Sequence, residues 1–88
     1  MERPLDDFEY AIMEEIYRFS SEKGFRLGVN ERDICTNIGY RPECGFELSL
    51  GYLLEQGLVY IKESHNFYNR YWLPTKLGRQ YIESKRVQ

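Results

Sequence analysis

Cys35, Cys44 and His65 are the residues of this chain best suited to hold a metal or to respond to redox state. Their spacing argues against both. Structural zinc sites use short paired spacings, whereas these cysteines stand nine positions apart and the one histidine lies far beyond them. Two reduced thiols and a solvated loop histidine are expected, with no metal and no cofactor. Acid–base chemistry fares no better. Asp6-Asp7 and Glu14-Glu15 are adjacent pairs, and neighbours in a helix point apart instead of sharing a cleft. The glycines do not form a phosphate-cradling loop, and no nucleophile has a base at usable spacing, so the chain is not read as an enzyme.

Charge leaves a different possibility open. The net charge is −2, but its distribution is uneven. Residues 56–88 carry Lys62, Arg70, Lys76, Arg79, Lys85 and Arg86 against Glu63 and Glu83, a segment of net +4. A local field of that sign favours a polyanion more than the total suggests. At 88 residues the chain is long enough for one core, so a single domain is expected over 1–88, with its core within 5–84. No apolar run is long enough for a membrane span and no leader pattern is present, which predicts a cytoplasmic protein.

The elements that would position these residues can be read from periodicity and punctuation. Residues 5–21 form a first helix, with Leu5, Phe8, Ile12, Ile16 and Phe19 on its core face. A second stripe, Tyr10, Met13 and Tyr17, falls almost opposite. It implies a partner, assigned here to a homodimer, or a contact with the C-terminus. A short strand is expected over 25–29. Asn30 then caps a second helix that stops at Gly39, and Pro42 opens a third that buries Phe46, Leu50, Leu53 and Leu54 and ends at Gly57. Residues 58–63 and 69–73 alternate as a hairpin, with Pro74 marking an edge strand. Thr75 caps a last helix with Leu77, Tyr81 and Ile82 inward. Trp72 and Tyr71 are expected to pin the hairpin to the core.

This order, α+β with two helices joined by a tight turn and then a hairpin and a closing helix, is that of a winged helix. The segments LGYLLEQGLVYIKES at 50–64 and NRYWLPTKLGRQYIES at 69–84 resemble signatures of small bacterial regulators of the MarR and PadR type. The resemblance implies double-stranded DNA as partner, with the third helix in the major groove and the hairpin, or wing, along the backbone. Yet that helix would present Cys44, Gly45, Glu47, Leu48 and Tyr52, and no Lys or Arg lies between Arg41 and Lys62. Two roles follow. In the first, DNA is met by Lys62, His65, Asn66, Asn69, Arg70, Lys76 and Arg79, helped by Arg41. In the second, Cys44, Leu48 and Tyr52 form a face for a protein partner.

Overall fold

A computed structural model of the chain describes residues 3–39, 45–64 and 70–86, leaving aside the side chains of Glu63 and Ser64. Its first helix, α1, runs over Asp7–Glu22. A reciprocal cap starts it: Asp6 Oδ1 accepts the Glu9 N–H at 2.7 Å, and Glu9 Oε1 accepts the Asp6 N–H at 3.0 Å. Arg3 donates to both Glu9 oxygens at 2.7 Å, and this bond holds the nearly buried carboxyl below its ordinary range.

Strand β1 is only Val29–Asn30, shorter and later than expected. The residues before it form a turn in which Gly24 and Phe25 both take positive φ, at 65° and 59°. A phenylalanine in that region is uncommon, and its ring shows what holds it there. It meets Tyr17 edge-on at 5.7 Å and lies 3.8 Å under the Arg79 guanidinium.

Helix α2, Glu31–Ile38, begins where Asn30 accepts the Arg32 N–H and ends at Gly39, whose φ of 78° closes it as the sequence implies. Helix α3 spans Phe46–Glu55 and buries Phe46, Leu50 and Leu53. Leu54, expected inward, is 43% exposed. Strands β2 (Val59–Ser64) and β3 (Arg70–Pro74) pair antiparallel, and helix α4 (Lys76–Arg86) follows.

The sheet order β1-β3-β2 corrects the reading of Pro74 as an edge marker, because β3 is central. Proline is tolerated there because β1 pairs only with Tyr71 and Trp72, so the missing N–H faces no partner strand. Thr75 caps α4 by accepting the Gly78 N–H at 3.0 Å.

The second stripe of α1 also needs correcting as a dimer contact. Met13 is 0% and Tyr17 8% exposed within one chain. Their cover is α4: Tyr17 donates to Glu83 at 2.9 Å, and Tyr10 lies 6.4 Å from the Tyr81 ring. Burial, helped by the Glu83 bond, pushes the Tyr17 hydroxyl above its ordinary value. Gly78 lets the two helices meet, since a Cβ there would overlap the Leu58 carbonyl and crowd the Met13 methyl. With Gly78 and Ile82 as the buried residues of α4, Leu77 turns outward at 54% exposure, against expectation.

Candidate nucleic-acid interface

Arg41, Cys44, His65, Asn66 and Asn69 lie outside the described residues. The other expected contacts divide into two groups. Lys62 and Lys76 are exposed, and Arg79 is half-buried with its guanidinium over Phe25. Lys62 stands at an irregularity in β2, where Ile61 pairs with Trp72 and Glu63 with Tyr71, so Lys62 itself has no opposite residue. Its ammonium reaches the Arg26 carbonyl in the turn before β1. The hairpin and the last helix thus each send one cation to the turn before β1, Lys62 to the Arg26 carbonyl and Arg79 to the Phe25 ring, and Lys23 stands two positions before Phe25.

Arg70 belongs to the other group, with a partner inside the chain. Arg70 Nη2 lies 2.7 Å from Glu31 Oε1 at the start of α2. The indole Nε1 of Trp72 donates to the same carboxylate at 2.9 Å, and the Arg70 guanidinium lies 5.6 Å from the indole ring. The side chains of Arg70 and Glu31 are 26% and 12% exposed. Glu31 ties the central strand to the helix pair, and Trp72, 2% exposed, is pinned to the core as expected.

The outward side of α3 matches its sequence in part. Glu47 and Glu55 are exposed and Leu48 is 82% exposed. Tyr52 departs from expectation: its ring lies 4.2 Å beneath the Arg3 guanidinium, and its hydroxyl is buried without a hydrogen-bond partner among the described residues. No group of three or more potential metal ligands occurs among the described residues, and none of their helices is long and apolar enough to cross a membrane.

Sequence reasoning missed Lys23, Phe25 and Arg26. The signal was present in Gly24 between a lysine and an arginine, but those cations sit in the acidic half of the chain. Only folding brings the Arg26 carbonyl to Lys62 and the Phe25 ring to Arg79.

Four helices and a three-stranded antiparallel sheet, with a helix pair feeding a hairpin, make up a small α+β fold consistent with a winged-helix-like arrangement among the described residues. The crystal structure of SSV1 F-93 is similar to it over 100% of both chains, with a TM-score of 0.59 and 14% sequence identity. Likeness at that identity speaks to the fold alone. No protein-family profile and no curated protein matches the chain, so the MarR and PadR resemblance rests on the two quoted segments.

Proposed function

We propose that the chain is a small winged-helix DNA-binding regulator that meets the duplex backbone through its hairpin and basic C-terminal part rather than through α3. One observation carries this reading: the Lys62 ammonium is held on the Arg26 carbonyl while Arg79 stacks on the neighbouring Phe25. Cations from two separate elements, β2 and α4, thereby meet the same turn, which itself carries Lys23 and Arg26, and such a gathering of positive charge suits a phosphate backbone. The acids of α3 support the same division, because Glu47 and Glu55 would repel a duplex laid along that helix. The regulator acts as a homodimer, since paired half-sites call for two copies. With Met13 and Tyr17 covered by α4, the half-buried Tyr10 is what remains of the proposed stripe for that contact.

Fluorescence anisotropy with a labelled duplex, repeated across salt concentrations, tests the proposal. Each of Lys62→Ala and Arg79→Ala is expected to weaken binding to all sequences alike and to lower the slope of log K against log salt by about 0.9. An unchanged slope in the double variant refutes it.

A further inference from the structure

We propose that the outward face of α3 and the groove beside it form a docking site for a basic, amphipathic helix of a protein partner. The inference goes beyond the DNA reading and does not depend on it.

Three observations converge on this face. Leu48 is 82% and Leu54 43% exposed, and the two lie about 9 Å apart along the helix axis. Beside Leu54 runs a groove of about 480 Å³ between α3 and β3, and Leu48 borders a second hollow, between α3 and α2, with Glu47 and Arg32. Leu50, Gly51, Leu54 and Trp72 line the groove together with Glu47 and with Glu31 and Arg70, which neutralise one another, so that Glu47 is the unpaired charge of the groove among the described residues. Its net charge is negative, and Leu54 is its exposed apolar side chain.

Gly51 is the second observation. It sits mid-helix, where glycine lowers stability relative to alanine. Nothing lies within 4 Å of the position its Cβ would take, so no contact inside the chain calls for glycine there. A bare backbone between two exposed leucines allows another main chain to approach closely. Charge is the third. Residues 45–61 contain no lysine or arginine, and neither Glu47 nor Glu55 is paired with a cation among the described residues. Apolar anchors flanked by uncompensated acids suit a helix with leucine-type residues at i, i+3, i+4 and i+7 and lysine or arginine beside them. A nucleic acid is disfavoured, because each of these carboxylates would face phosphate.

The experiment uses the full chain and a fluorescein-labelled synthetic helix of about 18 residues, with leucines at that spacing and flanking lysines. A scrambled peptide of the same composition and a version with glutamates for the lysines serve as comparisons. Binding to the first peptide is expected to be at least roughly tenfold tighter than to either comparison, and to weaken with salt. Leu48→Ser and Gly51→Gln should each weaken it about tenfold, whereas Leu27→Ser, an exposed position off this face, should leave it unchanged. A cooperative thermal transition with a midpoint no lower than the parent's in the Gly51 variant, and unchanged in the Leu48 variant, would show that the fold is kept. Absence of binding, equal binding of the scrambled peptide, or unaffected binding in both variants overturns the proposal. Loss of duplex affinity in Gly51→Gln also overturns it, by making α3 a DNA-contacting helix. The DNA reading fails separately, on Lys62 and Arg79.

Discussion

Replacing Glu31 with alanine removes the one carboxylate that fastens the central strand to the helix pair. Arg70 Nη2 would lose its partner at 2.7 Å, and the buried Trp72 indole its acceptor at 2.9 Å. Arg70 Nε is already buried without a partner among the described residues, so the guanidinium would be left poorly solvated. Breaking a fully buried ion pair costs about 3–5 kcal/mol, and an exposed pair contributes about 0–1 kcal/mol. Side-chain exposures of 26% and 12% place this pair between those limits. About 2 kcal/mol for the pair and about 1 kcal/mol for the orphaned indole give a loss of about 3 kcal/mol. A chain of this size has a total stability of roughly 4–13 kcal/mol, so the loss is a large fraction. Glu31→Gln keeps an acceptor for the indole and should lose only about 1–2 kcal/mol. Urea denaturation followed by fluorescence is the assay, with Trp72 as the only tryptophan reporting from the joint itself. A Glu31→Ala variant within about 0.5 kcal/mol of the parent would refute the reasoning. So would a glutamine variant as unstable as the alanine one.

Two glycines in helices should respond in opposite directions when changed to alanine. Gly78→Ala drives a methyl into the Leu58 carbonyl and is expected to cost about 1–3 kcal/mol, while Gly51→Ala meets nothing and should gain about 0.5–1 kcal/mol. Urea midpoints of the two variants decide the matter, and a neutral Gly78→Ala would mean that α4 packs less closely than described. The Arg3 bond favours the ionised form of Glu9 and lowers its pKa, with the Asp6 N–H adding to the effect. The contribution is therefore full above the ordinary value of 4.5 and is lost as pH falls through the lower folded value. Arg3→Ala should flatten that acid limb, seen by comparing urea midpoints of parent and variant at pH 7 and about pH 3.

Helix ends were legible in the sequence because single residues determine them. Asn30 and Thr75 each place an oxygen on an orphan amide, and Gly39 takes the left-handed conformation that ends a helix. These are local effects, and local reasoning finds them. The errors occur where two distant segments meet. Which face of α1 is covered depends on α4, more than sixty positions away, and the covering is possible because Gly78 has no side chain. Leu54 and Leu77 fit an apolar stripe but lie at its margin, where the width of the neighbouring element decides exposure. Pro74 carries a valid warning about edges, but β1 is too short to need the N–H it lacks. Arg70 shows the same limit for a functional residue: its charge was visible, and its neutralisation by a glutamate 39 positions earlier was not.

That neutralisation bears on what any DNA contact can be. Arg3, Arg18, Arg70 and Arg86 each pair with a carboxylate of the same chain, so much of the apparent positive charge is used internally. The proposed contact draws instead on both halves of the sequence: Lys62 and Arg79 touch the Phe25–Arg26 turn, and Lys23 and Arg26 are the cations that the turn itself supplies. About four phosphate contacts per copy imply a slope of about −3.6 for log K against log salt, hence a roughly 150-fold loss of affinity between 50 and 200 mM salt. One copy would then bind a duplex weakly at physiological salt, and a homodimer engaging both patches should approach a slope of about −7. Titrating a labelled duplex while measuring bound mass by sedimentation separates the cases. A slope near −7 with one chain bound would mean that cations beyond these four touch the backbone, whereas a slope near zero would remove the electrostatic basis of the DNA reading altogether.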